Sequence, residues 1–562
     1  MNSKAFLLPA ALMIAGNSVA NSKGKKTDKR PNILVILADD LGYSDLGCYG
    51  SEIHTPNLDK LAQQGVRFNH FYNASRSCPT RASLLTGLYQ HQAGIGRMTF
   101  DDNLPGYRGT LSRNAVTIAE VLKESGYTTS MIGKWHVAET PLRKDQREWL
   151  AHHVYHDTYS DLCHYPVNRG FDSHYGTIYG VVDYFDPFSL VEGEVPVKEV
   201  PEGYYITQAL SDRAAEEVTE YAKDDKPFFM YLAYTAPHWP LHALPEDIEK
   251  YKDTYKVGWE AIRNARYERQ KQLGIFPGMD DFLSERQFKD RWEDNAHAEW
   301  DARAMAVHAA MIDRMDQGIG QVIDALSGKT GQLDNTLILF LSDNGCSNEN
   351  CQNYSPGEND RPDMTRKGEK MVYPHNKEVL PGPQTTYASL GARWANVANT
   401  PFRFWKAKSY EGGICTPMIA HWPKGIKKNV GGMTPEIGHV MDIMATCIDM
   451  AGATYPAKYK GNDIIPMAGK SLLPIFKTGH REGHDYLGFE HFNERAFLAK
   501  DGWKLVRPGE NAKWELYNLN EDRSEQHNLA DKYPEKKNEM VKAYEEWAKR
   551  CMVEPYPGQK KK

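Results

Sequence analysis

The sequence predicts an α/β fold: a large, mostly parallel or mixed sheet flanked by helices, followed by a smaller antiparallel sheet with a closing helix. Apolar segments rich in Val, Ile, Leu and Phe alternate with helical patterns over most of the chain, as in sheets that are covered on both faces. From about residue 470 the pattern changes to short alternating strands separated by turns. A length of 562 residues is ample for one large unit with a smaller appendage.

Six apolar segments are predicted to form the strands of the large sheet, and each runs into polar residues at its carboxyl end. They are residues 32–40, 67–73, 128–136, 227–238, 336–344 and 417–422. The helical patterns between them cover residues 57–64, 117–125, 206–223 and 302–326. Functional sites of open α/β sheets gather where strands end, so the polar residues that follow these segments are the candidates for chemistry.

Two insertions and a carboxyl-terminal part complete the predicted organisation. Residues 240–300 are charged, aromatic and mostly helical in pattern, whereas residues 348–400 predict a long irregular loop that acts as a lid or a substrate wall. The predicted small sheet comprises residues 486–489, 495–500, 503–506 and 514–518, and an amphipathic helix follows over residues 534–551. We therefore divide the chain into a larger domain of residues 31–470 and a carboxyl-terminal subdomain of residues 471–562.

The amino terminus has the features of a secretory signal peptide over residues 1–20. Lys4 provides a positive start, residues 5–16 are apolar, and Ser18-Val19-Ala20 form a small-residue cleavage site. This apolar segment is too short to span a bilayer, and residues 21–30 are polar and basic, as in a flexible linker. The sequence thus predicts an exported protein, periplasmic or secreted after cleavage near Ala20, without a membrane anchor.

Charge and cysteine usage limit the class of partner. A net charge of -6 is small for this length, so nothing in it favours a nucleic acid or an anionic membrane. Eight cysteines are scattered without a CxxC pair or a Cys/His cluster, which argues against a zinc site. Cys346 and Cys351 are close enough in sequence for a local bridge, although pairing cannot be deduced from spacing.

Acidic residues follow two of the predicted strands. Asp39-Asp40 comes directly after the first strand, and Asp343-Asn344-Gly345 follows another. Each alone is consistent with an ordinary strand-ending turn. Together they supply three carboxylates and an amide oxygen, which are the ligands that a hard cation such as calcium or magnesium prefers.

Ser77-Cys78-Pro79-Thr80-Arg81 opens a short helical pattern that closes at Gly87. Ser77 is predicted to be the N-cap, and the proline suits the first turn. A helix amino terminus favours an anionic group, to which Arg81 can add a guanidinium. A capped helix with a surface arginine is the plain alternative.

Basic and imidazole side chains complete the candidates. Lys134 and His136 lie two apart at a strand end, His238 lies between two prolines, and Lys406 and Lys408 precede a Tyr-Glu-Gly-Gly turn. Lysines can offset anionic charge, and histidines can move a proton. Each of these residues, taken singly, is equally consistent with a structural role.

Taken together, these motifs resemble the sulfatase family of the alkaline phosphatase-like superfamily, and most closely its bacterial arylsulfatase-like members. In that family Ala-Asp-Asp, Ser/Cys-x-Pro-x-Arg, Gly-Lys-Trp-His, Pro-His-x-Pro, Asp-Asn-Gly and Lys-x3-Tyr/His-Glu-Gly-Gly occur in this order. This chain matches each motif, across about residues 30 to 425. Only Ser77 has Pro two places on and Arg four places on, so the resemblance is to the serine type, and Cys78 is interpreted as a packing residue.

The resemblance implies a nucleophile and a metal. Ser77 would be oxidised by a separate serine-type maturase to formylglycine (3-oxoalanine), whose hydrate attacks sulfate esters. One calcium ion would be bound by residue 77 together with Asp39, Asp40, Asp343 and Asn344. A second hydroxyl on the hydrate then allows sulfate to be expelled, which a plain serine ester could not do.

The resemblance also implies roles for the remaining candidates. Arg81 would hold residue 77, and Lys134 and Lys406 would contact sulfate oxygens. His238 would help to protonate the leaving alcohol, and His136 would accept a proton from the aldehyde hydrate. The expected substrate is a sulfated carbohydrate (glycan) or an aryl sulfate.

Two alternatives stay open at this point. One is a phosphonate monoester or phosphodiester hydrolase on the same scaffold, and the other is a non-catalytic glycan-binding protein that keeps Ser77 unmodified. Contacts to a sugar would come from variable parts of the chain. The candidates are Tyr184, Asp186, His491 and Arg495, each as consistent with a structural role.

Overall fold

The computed structural model describes residues 28–139, 158–278, 281–356, 361–365 and 367–557. The predicted signal peptide and most of the predicted linker lie outside these residues. The helices are Pro56–Gln64, Ser77–Thr86, Ile118–Glu124, Ile206–Tyr221, Pro245–Glu249, Trp259–Gln272, Ala298–Asp324, Ala392–Ala398, Glu411–Ile414, Asp442–Ala451, Leu473–Thr478 and Pro534–Arg550. The strands, in chain order, are β1 Asn32–Ala38, β2 Val66–Phe68, β3 Phe71–Tyr72, β4 Thr128–Gly133, β5 Ser173–Thr177, β6 Leu190–Glu192, β7 Val195–Pro196, β8 Phe228–Ala233, β9 Thr336–Ser342, β10 Met418–His421, β11 Met433–Thr434, β12 Gly438–His439, β13 Lys458–Tyr459, β14 Asn462–Asp463, β15 Tyr486–His491, β16 Glu494–Ala499, β17 Trp503–Pro508 and β18 Glu515–Asn518.

A ten-stranded mixed sheet organises the molecule, in the order β11-β2-β10-β9-β1-β8-β4-β5-β6-β7. Strand β1 lies in the middle and pairs in parallel with β8 and β9, and β4 is parallel to both β8 and β5. Strand β10 runs antiparallel to β9 and β2. The predicted fold class, a large mixed sheet followed by a small antiparallel one, is confirmed.

The burial of the central strands explains why their sequences are almost continuously apolar. Every residue of β1, β8 and β9 is buried, as near-continuous apolar segments require when helices cover a sheet. The long helix Ala298–Asp324 packs along Ile206–Tyr221 and Pro56–Gln64. A second group of contacting helices contains Ser77–Thr86, Asp442–Ala451 and Ile118–Glu124, and the last begins with a capping box between Thr117 and Glu120.

Two expectations about the elements are corrected. The predicted strand over residues 67–73 is divided between β2 in the large sheet and β3, which pairs with β12. The insertion over residues 240–300 contains the helices Pro245–Glu249 and Trp259–Gln272, and much of the rest is irregular. Apolar content alone does not reveal where a chain bends between two short strands.

The carboxyl-terminal sheet, β15 to β18, is an antiparallel meander. Phe492 and Asn493 form the tight turn between β15 and β16, and both have positive φ, 50° and 65°. The closing helix Pro534–Arg550 contacts β15 and β17, and its Trp547 is fully buried against Gly488.

A buried ionic network joins the carboxyl-terminal sheet to the larger unit. Lys504 Nζ lies 2.8 Å from Glu411 Oε1 and 2.7 Å from Glu525 Oε1. Arg523 Nη1 lies 2.5 Å from Glu411 Oε2, and all four side chains have no exposed surface. Burial raises the pKa of Glu525 to about 7 despite the opposing charge of Lys504. Glu411 begins the short helix that follows Lys406, so this network reaches a segment that carries a predicted site residue.

The cysteines and the helices bear on two further expectations. All eight cysteines lie in the described ranges and are unpaired, so the possible bridge between Cys346 and Cys351 is not formed. None of the helices in the described part of the chain has the length and apolarity needed to cross a membrane.

Lys504→Met should lower the free energy of unfolding by about 3–5 kcal/mol, because it leaves a buried carboxylate without its cation. Urea denaturation followed by circular dichroism measures this change. Lys500→Met is the matched control, because it removes an ion pair with Asp485 at the surface. The Lys500 side chain is 71% exposed and that of Asp485 is 72% exposed, so the variant should change stability little. Equal losses in the two variants would contradict the assignment.

Candidate active site

Four neighbouring strands of the large sheet end at one edge, and the residues after them form the candidate site. In the sheet the order is β9, β1, β8 and β4. Their ends are aligned, because Ala38 pairs with Ser342 and Gly133 pairs with Ala233. The residues that follow are Asp39 and Asp40 after β1, Asp343 and Asn344 after β9, Lys134 and His136 after β4, and His238 after β8. The structure thus brings together residues that are far apart in sequence.

Ser77 lies at the start of a fully buried helix and faces two of these carboxylates. Its Oγ lies 3.0 Å from Asp39 Oδ1 and 2.7 Å from Asp343 Oδ2. The predicted N-cap is wrong by one residue: Arg76 occupies the cap in an extended conformation, and Ser77 is the first helical residue. The hydroxyl is therefore directed to the carboxylates and does not cap the helix.

Arg81 and Lys134 neutralise this carboxylate pair. Arg81 Nη2 lies 2.8 Å from Asp343 Oδ2 and 3.6 Å from Asp39 Oδ2, and Lys134 Nζ donates to Asp39. Burial acts to raise the pKa of Asp39, but Lys134, His238 and Arg81 outweigh it and hold that pKa below its usual value. Burial and the charge of Asp39 raise the pKa of Asp343. Two carboxylates this close require cations to stay ionised.

Asp40 and Asn344 supply the other oxygen atoms. Asn344 Nδ2 donates to Asp40 Oδ1 at 2.6 Å, and Lys406 Nζ lies 2.9 Å from the same atom. Asn344 Oδ1 is buried and has no hydrogen-bond partner among the residues that the structure describes. Three carboxylates and a buried amide oxygen without a donor are a donor set that fits a hard divalent cation.

His238 is oriented by its neighbours. Its Nδ1 lies 2.6 Å from the carbonyl oxygen of Trp239, which assigns the Nδ1 proton and leaves Nε2 3.2 Å from Lys406 Nζ. The Tyr184 hydroxyl lies 2.6 Å from the Thr235 carbonyl and 2.8 Å from that of His238, so it supports this turn. Burial and the charge of Lys406 lower the pKa of His238, although Asp40 opposes them.

His136 is half-buried, and its surroundings keep the ring neutral. Burial lowers its pKa well below the usual value, and the charges of Lys134 and Arg81 add to this effect. Its Nδ1 has no hydrogen-bond partner within the described ranges. The ring packs on Gly180, where a Cβ would lie 2.2 Å from His136 Cε1. Only glycine permits this approach, and the neutral ring offers a proton acceptor.

The two lysines that precede the Tyr-Glu-Gly-Gly turn have different partners. Lys406 is 4% exposed and contacts Asp40 and His238. Lys408 Nζ instead lies 2.5 Å from Glu494 Oε1 on β16 and so belongs to the contact with the carboxyl-terminal sheet. The structure therefore places Lys406 in the site.

Glu349 is a site residue that sequence reasoning missed. It lies 3.4 Å from Lys406 Nζ and accepts a hydrogen bond from Trp239 Nε1 at 2.9 Å. Its one sequence signal is an acidic side chain in the polar segment just after Asp343-Asn344-Gly345. That signal is too common to single it out.

Most of the predicted sugar-contacting residues are buried. Tyr184 is 1% exposed, His491 is 0% exposed and Arg495 is 7% exposed, and their role in contacting a sugar stays a prediction. His491 lies at the end of β15 beside the Phe492 ring, and the Arg495 guanidinium covers the Tyr556 ring at 4.3 Å. Asp186 is partly exposed and lines a small cleft with Met364 and Gln384.

The predicted wall over residues 348–400 packs beside the His238 turn. A separate apolar cluster anchors it there, made of Trp239, Cys351, Met371, Tyr373 and Tyr387. The Trp239 and Tyr387 rings meet edge to face at 5.9 Å. Within the described part of the loop, this contact places the segment along one side of the site.

Comparisons of sequence agree with this geometry. Residues 31–453 match the sulfatase family model, and residues 402–550 match the model of the N-sulphoglucosamine sulphohydrolase carboxyl-terminal part. An uncharacterized sulfatase of Schizosaccharomyces pombe is 33% identical over 546 residues, covering 91% of this chain and 92% of the relative. An arylsulfatase of Klebsiella aerogenes is 32% identical over 489 residues, covering 86% and 98%.

Comparison of structures gives the same result. The crystal structure of Ps i-CgsB in complex with k-i-k-neocarrahexaose superposes with a TM-score of 0.63 and 27% identity, covering 94% of both chains. The family model spans the large sheet and every residue at the four strand ends. The chain therefore belongs to the sulfatase family of sulfuric ester hydrolases.

Proposed function

We propose that the protein hydrolyses sulfate monoesters of carbohydrates, with formylglycine formed from Ser77 as the nucleophile and one calcium ion at the strand ends. The position of Ser77 Oγ carries the proposal, 3.0 Å from Asp39 Oδ1 and 2.7 Å from Asp343 Oδ2. A serine that only begins a helix does not need two buried carboxylates beside its hydroxyl. A residue that binds a cation together with those carboxylates must lie next to them.

Asp39, Asp40, Asp343 and Asn344 would hold the calcium ion. Bound calcium supplies positive charge that offsets the negative charge on the sulfate and on residue 77. The buried Asn344 Oδ1, which lacks a donor among the described residues, supports this assignment. So does the crowding of Asp39 and Asp343 around one hydroxyl.

Oxidation of Ser77 by a serine-type maturase supplies an aldehyde whose hydrate provides both the attacking hydroxyl and the one that releases sulfate. The neighbouring Cys78 is suited to packing. Burial raises its pKa to about 11, so the thiol stays protonated, and its Sγ lies 3.6 Å from Met98 Sδ. The Ser-x-Pro-x-Arg spacing, which begins at Ser77 and not at Cys78, supports Ser77 as the modified residue.

Arg81, Lys134 and Lys406 would offset charge at the sulfuryl oxygens, because positive groups in a buried site act strongly on developing charge. His238 presents Nε2 beside Lys406 and, when protonated, gives its proton to the leaving oxygen. Its lowered pKa makes the protonated ring a stronger acid. His136, kept neutral by burial, accepts the proton of the second hydroxyl.

Two further parts of the proposal concern the substrate and the compartment. The carbohydrate substrate is supported by the relative whose structure holds neocarrahexaose. Export is supported by the signal-like residues 1–20, which lie outside the described residues. We place the enzyme in the periplasm or outside the cell.

The central test compares esters and inspects residue 77. Protein made with a serine-type maturase should turn over 4-nitrophenyl sulfate faster than 4-nitrophenyl phosphate or phenylphosphonate. Its Ser77 peptide should lack two hydrogens in mass spectrometry, and Ser77→Ala should abolish turnover. Ser83→Ala, which removes a buried hydroxyl without a described partner on the same helix, should not.

Two results would contradict the proposal. Faster turnover of a phosphorus ester would indicate a phosphonate monoester or phosphodiester hydrolase. An unmodified Ser77 in protein that binds sulfated glycans without hydrolysing them would indicate a binding protein.

Calcium should raise the melting temperature of the wild type, and a concentration 100 times its Kd should add about 2.7 kcal/mol of stability. Asn344→Leu removes one ligand oxygen and should reduce the calcium-dependent increment, measured by differential scanning fluorimetry after chelation and calcium addition. Asn396→Leu, at another buried asparagine, is the control and should keep the increment. An undiminished increment in Asn344→Leu would argue against this site.

Gly180→Ala should displace the His136 ring and lower kcat for 4-nitrophenyl sulfate by about a hundredfold, since small displacements of a proton acceptor are costly. Gly483→Ala is the control, because a Cβ at Gly483 would meet nothing within 4 Å. Steady-state kinetics and circular dichroism separate loss of turnover from loss of fold. Unchanged kcat in Gly180→Ala would count against His136 as the acceptor.

A further inference from the structure

Glu349 places an additional carboxylate beside Lys406, apart from the three carboxylates assigned to the metal. It lies in the segment after β9, and its side chain is 21% exposed. Three donors hold Oε2: Trp239 Nε1 and Ser347 Oγ, each at 2.9 Å, and Lys406 Nζ at 3.4 Å. These contacts fix the carboxylate plane and use one of its two oxygens.

The other oxygen is much less engaged. Among the residues that the structure describes, the polar contact of Oε1 is with Arg76 Nη2 at 3.4 Å, a long hydrogen bond. The Arg76 side chain is itself 23% exposed. A carboxylate oxygen has two lone pairs, so Oε1 keeps acceptor capacity at a partly exposed position.

Glu349 is ionised. Burial acts to raise its pKa, but the charges of Lys406, Arg76 and His238 hold it well below the usual value. A negative charge beside a sulfate-binding lysine weakens attraction for sulfate. The presence of the Glu349 carboxylate is explained if it contacts the leaving alcohol of the substrate, where a hydrogen-bond acceptor is useful.

The distances place Glu349 next to the scissile bond. Lys406 Nζ, assigned to sulfate, lies 3.2 Å from His238 Nε2, assigned to the leaving oxygen, and 3.4 Å from Glu349 Oε2. The Glu349 carboxylate and the imidazole assigned to the leaving oxygen thus share one ammonium group, which puts the carboxylate on the side of the site where a group near the ester carbon would lie. A sugar ring carries hydroxyl groups near that carbon, and they donate to carboxylates.

We propose that Glu349 Oε1 accepts a hydrogen bond from a hydroxyl group on the carbon next to the sulfate ester, which makes the preferred substrate a sulfated polyol, such as a sugar, with that hydroxyl free. This inference rests on the proposed sulfatase reaction and goes beyond it by naming what the leaving alcohol must present. Glu349 is then a specificity residue for the leaving group.

Two aryl esters that differ by one hydroxyl provide the test. In 4-nitrocatechol sulfate an O–H lies on the carbon next to the ester carbon, and in 4-nitrophenyl sulfate that carbon carries hydrogen. Wild type, Glu349→Ala and Glu349→Gln are assayed on both esters, at a pH where the free hydroxyl is protonated. For each protein, the kcat/KM for 4-nitrocatechol sulfate is divided by the kcat/KM for 4-nitrophenyl sulfate. Comparing this ratio between the variants and wild type forms a thermodynamic cycle between the residue and the substrate hydroxyl.

Glu349→Ala should lower this ratio by about ten- to a hundredfold, the range for loss of a hydrogen bond to a charged acceptor. Glu349→Gln keeps a neutral acceptor and should give an intermediate ratio. Because both esters are measured on one preparation, partial unfolding or an altered Lys406 cancels from the ratio. Glu369→Ala, at an exposed glutamate of the same loop, should leave the ratio unchanged.

An unchanged ratio in Glu349→Ala, with equal losses on both esters, would overturn the inference and assign Glu349 to positioning Lys406. That outcome would leave the sulfatase reaction intact, because wild type would still hydrolyse both sulfates. Wild type that hydrolyses neither sulfate, with Ser77 shown to be oxidised, would contradict the proposed function and this inference together.

Discussion

Burial of two like charges at the ends of adjacent parallel strands is the constraint on which the rest of the structure depends. Asp39 and Asp343 have no exposed surface and share contact with one hydroxyl, a placement that is unfavourable without compensating cations. The fold supplies those cations from separate elements: Arg81 from the helix that begins at Ser77, and Lys134 from the end of β4. The same cations suit an anionic substrate, so the requirement for folding and the requirement for chemistry coincide.

A third cation reaches the site by another route. Lys406 lies in an irregular segment, and that segment is attached to the carboxyl-terminal sheet by neighbouring side chains. Lys408 pairs with Glu494, the Tyr410 hydroxyl donates to Glu515 at 2.6 Å, and Glu411 enters the buried network with Arg523 and Lys504. The small sheet therefore acts as the support of a site residue that the large sheet does not hold.

The strand ends could be predicted from sequence because an apolar segment that runs into Asp-Asp or Asp-Asn-Gly contains both the strand and its termination. Ser77 and Arg81 could be predicted because their spacing is local. Glu349 could not, since its place depends on Trp239, which lies 110 residues away in sequence and is brought to it only by the fold. The burial of His491 and Arg495 is likewise set by tertiary packing, which polar character alone does not reveal.

The attachment of the Lys406 segment also bears on the order in which the molecule is completed. A ribosome releases the strands of the large sheet and the Lys406 segment before it releases Glu515, Arg523 and Glu525. Until those last residues emerge, Glu411 lacks its buried partners, and the segment before it lacks its support. The helix that carries Ser77 and the strand ends beside it are thus synthesised before the residues that support Lys406. The nucleophile position belongs to the early part of the chain, and the support of the last cation belongs to its late part.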